Sequence, residues 1–162
     1  MGFLFVAVTA FSSPEQFVEK IGWVFEDSPW VAERAWKLGP FADIDALHRA
    51  MVAQVAAASY EEQLALLLAH PDLGTRARVS DASREEQAGA GVDRLTGEEI
   101  ARLDAYRERF GFPFLFAVKT GTKQDMLRAL EERMHHSREA EFQEALRQVY
   151  RIARFRLEGA LS

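Results

Sequence analysis

Helix start signals recur along this chain, and they constrain its fold more than any other feature. A Ser, Thr or Asp stands before each of several runs whose apolar residues repeat every three or four positions. Such a residue caps a helix by accepting a hydrogen bond from a backbone N–H group of the first turn, and the repeat is that of one helix face. The predicted caps are Ser13, Asp43, Ser59, Thr96, Thr122 and Ser137.

Proline and glycine indicate further starts and ends. The pair Ser28-Pro29 predicts a helix that runs through Trp30 and Trp36 and stops at Gly39-Pro40. The residue before a proline is pushed out of the α region, so the helix after Ser59 should end before His70-Pro71. A capping box is predicted at Ser13, with Gln16 reaching back, and Gly111 should end the helix that Thr96 begins.

The chain offers a single extended run, Phe114-Leu115-Phe116-Ala117-Val118. One run without a partner strand does not make a sheet. The sequence therefore predicts an all-α, single-domain bundle of about seven to nine helices over residues 11–162, with one short extended segment. Residues 1–10 are predicted to form an N-terminal arm, because this apolar stretch is too short to span a bilayer and no positive region precedes it.

Composition narrows the classes of function. A net charge of −5 argues against a nucleic-acid partner. The absence of cysteine rules out disulfides and thiolate chemistry and fits a reducing compartment, so we expect a cytoplasmic protein that does not enter a membrane. His70 and Asp72 lack the number and spacing of zinc ligands, and no metal site is predicted.

The first candidate site is His70-Pro71-Asp72-Leu73, at a predicted helix end. A histidine held by a stiff proline turn can face a cavity, and its ordinary pKa lies nearest neutrality, which suits proton transfer. The structural alternative is a helix-terminal histidine that interacts with the last carbonyl groups.

The second candidate site is the segment from Ser83 to Gln87. A hydroxyl, the Glu86 carboxylate and backbone N–H groups at a helix start would suit a polar ligand. The structural alternative is an ordinary capping box, in which the Glu86 side chain bonds to the backbone of Ser83.

The third candidate site is Arg109-Phe110-Gly111-Phe112-Pro113-Phe114, where helix, glycine and proline make a rigid turn. The apolar residues after the turn could form the wall of a pocket, and an extended backbone offers N–H and C=O groups to a planar ligand. A buried connector is the alternative.

Four segments in series resemble the family of OHCU (2-oxo-4-hydroxy-4-carboxy-5-ureidoimidazoline) decarboxylases. They are S-P-W-V-A-E-R-A-W at 28–36, H-P-D-L at 70–73, S-R-E-E-Q-A-G-A-G at 83–91 and R-F-G-F-P-F at 109–114. The resemblance runs in order from Phe11 to Leu157. It departs from the family pattern at Asp27, Gly39 and Asp104, and the positions after Val118 also vary.

The resemblance implies a cofactor-free carboxy-lyase of urate degradation that forms (S)-allantoin and carbon dioxide. It implies that His70 transfers a proton and that Glu86 positions and polarises the substrate. Further residues are implied to bind substrate: Ser83, Gln87, Pro71, Phe114, Phe116 and Arg156. Arg154 is the second choice for the cation, and the alternative for Arg156 is a solvated helix end.

The family resemblance also implies a homodimer, to which Trp23, Trp30 and Trp36 could contribute if they do not lie in the core. The alternative function is a helical module that binds ureides without catalysis. The intact segments around His70 and Glu86 argue against that alternative, since folding alone does not demand them.

Overall fold

A computed structural model describes residues 11–71, 95–118 and 121–161 of the chain. These ranges contain seven α-helices, two complete 3-10 turns and no strand. The helices are α1 (Pro14–Ile21), α2 (Trp30–Ala35), α3 (Ile44–Ala56), α4 (Tyr60–Ala69), α5 (Gly97–Phe110), α6 (Lys123–Arg133) and α7 (Arg138–Leu161), and the 3-10 turns are Gly22–Val24 and Trp36–Leu38. The all-α class predicted from the sequence is confirmed.

The helix starts follow the predicted caps. All six capping side chains accept a hydrogen bond from the backbone N–H three residues further on, at 2.8–3.2 Å. At Ser59, Thr96 and Thr122 the acidic residue three positions on also accepts from the backbone N–H of the cap, which completes a capping box. Local sequence therefore sets these helix starts.

Helix ends also follow the predicted signals. Helix α4 stops at Ala69, one residue before His70-Pro71. Helix α5 stops at Phe110, and Gly111 follows in the left-handed region with φ of 83°.

Three local details differ from the prediction. Gln16 does not bond back to Ser13; its side-chain oxygen accepts from the N–H of Ser12 at 3.1 Å. The Ser28 hydroxyl donates to the carbonyl of Glu26 at 2.8 Å, so α2 starts without a side-chain cap. Helix α2 ends at Ala35, and Trp36 begins the 3-10 turn Trp36–Leu38 that leads to Gly39.

The chain divides into two compact units. Unit 1 comprises Met1–Leu66 and Tyr150–Ser162, and unit 2 comprises Leu67–Val149. The predicted arm over residues 1–10 lies outside the described residues, and the predicted domain over 11–162 stays a prediction.

Unit 1 has an aromatic and aliphatic core. The Phe17 ring lies 5.1 Å from Trp36 and 6.2 Å from Phe41, measured between ring centroids. Side chains from α1 to α3 complete the core, all without exposed surface: Phe17, Ile21, Val31, Leu47, Met51 and Val55. An ion pair at 2.6 Å joins Arg34 of α2 to Glu62 of α4.

Unit 2 is built around a cluster of aromatic rings. Tyr106 lies 4.7 Å from Phe110 and 5.1 Å from Phe114, and Phe112 meets Phe142 edge to face at 5.8 Å. Residues 113–117 cross this unit without forming helix or strand. The predicted departure from helix at this segment is therefore present, but it is an irregular connector rather than a strand.

Candidate active site

His70 lies immediately after helix α4, where Pro71 prevents the helix from continuing. Its backbone N–H donates to the carbonyl of Leu67 at 3.2 Å, which closes the last turn. The side chain is only 1% exposed. His70 is thus buried beside a half-buried Pro71, and its proton-transfer role and the alternative of a histidine that interacts with the last carbonyl groups both stay predictions.

The predicted pocket wall after Gly111 has an ordered geometry. The rings of Phe114 and Phe116 stack with centroids 6.3 Å apart and an interplanar angle of 9°. This spacing is typical of side chains two residues apart on one face of an extended backbone. Phe114 is 1% exposed and packs against Tyr106, whereas Phe116 is half-buried. Phe116 therefore has more surface for a ligand than Phe114.

A buried polar cluster in unit 2 was not predicted from the sequence. The Glu141 carboxylate, with no exposed surface, accepts at Oε2 from Nε of Arg133 at 2.7 Å, and Nη2 of Arg133 lies 2.7 Å from the same oxygen in an ion pair. The Tyr106 hydroxyl donates to the same oxygen, and His136 Nδ1 lies 3.2 Å from the other. Burial raises the pKa of Tyr106 well above its ordinary value, so this hydroxyl stays a proton donor.

The cluster could have been suspected from helix periodicity. Arg133 follows Met126 and Leu130 at helical spacing on the buried face of α6. Glu141 and Gln148 lie at the same spacing from buried Ala145 on α7. A charged residue in an apolar stripe signals a paired buried group, but the pattern does not reveal its partner.

Arg156 of unit 1 does not lie in solvent. Its side chain is 11% exposed; Nη2 lies 3.2 Å from Glu26 Oε1, and Nη1 donates to the carbonyl of Val24 at 3.4 Å. The guanidinium carbon is 5.8 Å from the centroid of the Trp23 ring. The alternative of a solvated helix end is therefore wrong for Arg156.

Arg154, the second choice for the cation, has a different environment in the same unit. It pairs with Asp45 and, at 2.8 Å, with Glu158, and its side chain is 31% exposed. Two surface carboxylates already engage this guanidinium, and solvent reaches it more easily than it reaches Arg156.

The remaining predicted site residues, Ser83, Glu86 and Gln87, lie outside the described residues. In the ranges that the structure describes, no group of three or more His, Cys, Asp or Glu side chains could hold a metal ion. Nor is any helix within those ranges long and apolar enough to cross a membrane.

The departures from the family pattern lie away from His70 in the chain and are mostly exposed. Asp27 is exposed and adopts a left-handed φ of 46°, a conformation that Asp tolerates. Asp104 is exposed on α5. A Cβ atom at Gly39 would come within 3.0 Å of the Phe41 ring, so this glycine allows that ring its close approach.

Known proteins match almost the whole chain. The family model for OHCU decarboxylase matches residues 11–158. The 2-oxo-4-hydroxy-4-carboxy-5-ureidoimidazoline decarboxylase of Halalkalicoccus jeotgali is 49% identical, over 89% of this chain and 84% of that protein. The enzyme of the same name from Haloferax volcanii is 48% identical, over 91% of this chain and 90% of that protein.

Solved structures show the same fold. A crystal structure of (S)-allantoin synthase superposes with a TM-score of 0.75 and 33% identity, over 98% of this chain. This chain spans about half of that one, 53% of its length.

The fold and these relatives define the class of protein, an all-α carboxy-lyase. Within that class, the chain belongs to the OHCU decarboxylase family. The family and the enzyme class predicted from the sequence are confirmed.

Proposed function

We propose that this chain decarboxylates 2-oxo-4-hydroxy-4-carboxy-5-ureidoimidazoline to (S)-allantoin and carbon dioxide, as a step of urate degradation. The observation that carries the proposal is the family match over residues 11–158, together with 49% identity to a decarboxylase of similar length. The buried His70 at the end of α4 supports it, because a proton must be moved where bulk water is excluded.

The reaction can be balanced on the substrate alone. When the C4–carboxylate bond breaks, its electron pair forms a C4–C5 double bond, and the adjacent C=N bond takes up the displaced electrons at nitrogen, which is protonated. The 4-hydroxyl then loses its proton to form a carbonyl, while C5 gains a proton on one face. Because the substrate carries its own electron sink, we propose a cofactor-free reaction in which the protein orients groups and moves protons.

We assign the proton transfer to His70. An imidazole can accept the 4-hydroxyl proton and return a proton near neutral pH. Pro71 restricts the backbone beside it and is proposed to contact the substrate. The burial of His70 after the last helical turn supports this role, since bulk water is kept from its ring.

The other assignments rest on the family resemblance. Glu86 is proposed to orient and polarise the substrate hydroxyl, and Ser83 and Gln87 to bind the ring or ureido group. Arg156 is proposed to bind the substrate's carboxylate, because its planar fork matches a carboxylate. Its lower exposure than that of Arg154 supports this choice, since an ion pair with the substrate is stronger where water is excluded.

The pocket wall is proposed to include Phe114 and Phe116. Half-buried Phe116 offers ring surface, and the irregular backbone around it offers polar groups to a planar ureide.

The assembly is proposed to be a homodimer in the cytoplasm. Trp23 is 52% exposed, and an exposed tryptophan is the kind of residue that interfaces bury. Trp36 packs against Phe17, so it serves the core of unit 1 instead. The cysteine-free composition is the support for a reducing compartment.

The deciding experiment follows circular dichroism while urate is converted by urate oxidase and hydroxyisourate hydrolase. With this protein present, we expect faster decay of the intermediate and a lasting (S)-allantoin signal, whereas spontaneous decay gives a racemic product. His70→Asn and Glu86→Gln should remove the acceleration while the far-ultraviolet spectrum stays helical. His135→Gln, at an exposed histidine, is the matched control and should retain full activity.

The outcomes separate the two functions. Unchanged decay with racemic product would refute the decarboxylase and leave the ureide-binding module. Full activity in both His70→Asn and Glu86→Gln would leave the reaction in place and refute the assigned roles.

A further inference from the structure

Two buried side chains hold the backbone of the segment that carries Phe114 and Phe116. Arg133 Nη1 donates to the carbonyl of Leu115 at 2.9 Å. The N–H of Ala117 donates to Gln148 Oε1, also at 2.9 Å. Both side chains are 5% exposed. They come from different helices, α6 and α7, and they satisfy backbone groups that a partner strand would satisfy in a sheet.

The two contacts act on the same edge of the segment. In extended backbone the C=O group of one residue and the N–H group two residues on point to the same side. The parallel stacking of Phe114 on Phe116 indicates that the backbone has this extended spacing here. One edge of the segment is therefore fixed by side chains, and the opposite edge carries the backbone N–H and C=O groups of Phe116.

Each of the two side chains is itself held in place. Glu141 binds Arg133 through two nitrogens at 2.7 Å, and the guanidinium carbon lies 4.4 Å from the centroid of the Phe114 ring. Gln148 donates from Nε2 to Glu144 at 2.7 Å. Burying a charged pair costs desolvation free energy that an apolar pair of similar volume would avoid. A requirement that the segment be held rigidly would explain why the core contains the polar and charged side chains that hold it.

We propose that Arg133 and Gln148 are positioning residues of the decarboxylation site. They fix the position of the backbone of residues 114–117, and the substrate binds against this backbone. This inference rests on the proposed function, because it takes the segment to be the pocket wall. The two residues act through Leu115 and Ala117 and do not touch the substrate. Their loss should weaken substrate binding more than it slows the chemical step.

Gln148→Leu tests the inference with little change of volume. Removing the acceptor for Ala117 N–H should let the segment shift, and KM should rise about three- to tenfold, the equivalent of about one hydrogen bond in binding. We expect kcat to stay within about twofold, since a contact made equally to substrate and transition state affects KM alone. The coupled circular dichroism assay gives both constants.

A double variant tests whether the acceptor itself matters. Gln148→Glu with Glu144→Gln exchanges the two side-chain groups, so an oxygen still accepts from Ala117 and an amide still donates between positions 148 and 144. The net charge is unchanged. We expect the KM of the double variant to be close to the wild-type value, while the KM of Gln148→Leu stays high. If Gln148→Leu does not fold, the double variant is compared with Gln148→Glu alone, in which two carboxylates repel each other.

Arg138→Met is the matched control for a structural role. Arg138 also donates to a backbone carbonyl, that of Phe110 at 3.1 Å, and its guanidinium lies 5.5 Å from the Phe112 ring. Neither of these two contacts involves residues 113–118. It should lower the melting temperature without raising KM.

The outcomes are distinct. If wild-type protein gives no turnover, the proposed function fails. If wild-type protein is active and Gln148→Leu only melts earlier with an unchanged KM, the function stands and the positioning role is overturned. An equal rise of KM in Arg138→Met would also overturn it.

Discussion

Gly111 ends helix α5 within the R-F-G-F-P-F motif, and its backbone conformation can be tested directly. Its φ is 83°, in the left-handed region, and its N–H donates to the carbonyl of Arg107 at 2.8 Å. A Cβ atom built at this position would meet nothing within 4 Å. Alanine therefore fits the space, and only the backbone conformation resists it. That conformation costs about 1–2 kcal/mol for a residue with a Cβ atom.

The expected effect of Gly111→Ala follows from that cost. The free energy of unfolding should fall by about 1–2 kcal/mol, which lowers the urea midpoint by roughly 0.5–1 M at a slope of about 2 kcal/mol/M. Far-ultraviolet circular dichroism in a urea titration measures it. Gly111→Asn should lose less, because asparagine enters the left-handed region more readily.

Gly97→Ala is the matched control on the same helix. Gly97 is the first residue of α5, its φ is not in the left-handed region, and a Cβ atom there also meets nothing within 4 Å. This variant should be neutral or stabilising by up to about 1 kcal/mol. Equal losses in the two variants, or no loss in Gly111→Ala, would refute the account based on backbone conformation.

Three further variants test the pH dependence and the helix starts. The Nε2 atom of His48 lies 2.8 Å from the carbonyl of Tyr150, and burial lowers the pKa of this histidine. The unfolded chain therefore binds the proton more readily than the folded chain does, and the free energy of unfolding should fall as the pH drops below about 6.5. His48→Gln, which keeps an N–H donor, should show a shallower loss between pH 7 and pH 5 in urea titrations; an identical slope would contradict this. Thr122→Ala should lower the free energy of unfolding by about 1 kcal/mol, because Asp125 N–H loses its acceptor. Thr122→Ser should keep most of that stability in the same titration, and a comparable loss in both would rule out the cap.

Helix boundaries could be predicted because their causes are local. The hydroxyl of Thr96 and the carboxylate of Glu99 lie three residues apart, so the chain brings them together without help from distant residues. The same holds for Gly111, whose lack of a Cβ atom suits it to the left-handed end of α5. At Gln16, by contrast, two neighbouring serines lie within reach of the side chain. The prediction that Gln16 bonds back to Ser13 is wrong, because its side-chain oxygen accepts from the N–H of Ser12.

The candidate site was predicted only in part. His70 was found because proline fixes a helix end beside it, and its burial agrees with the proposed role. The choice of Arg156 came from the family resemblance, and no local pattern indicated that Glu26 and Val24 hold its side chain. Ser83, Glu86 and Gln87 stay predictions, because they lie outside the described residues.

The sequence by itself determined the helix starts, most helix ends, the family and the position of His70, because each depends on neighbouring residues or on motifs in series. Only the tertiary structure decided that Arg133 would bind both Glu141 and the carbonyl of Leu115. Leu115 lies 18 residues before Arg133 in the chain. Such a contact is favourable only once the surrounding rings exclude water and the opposite charge is in place, and no local pattern encodes that condition.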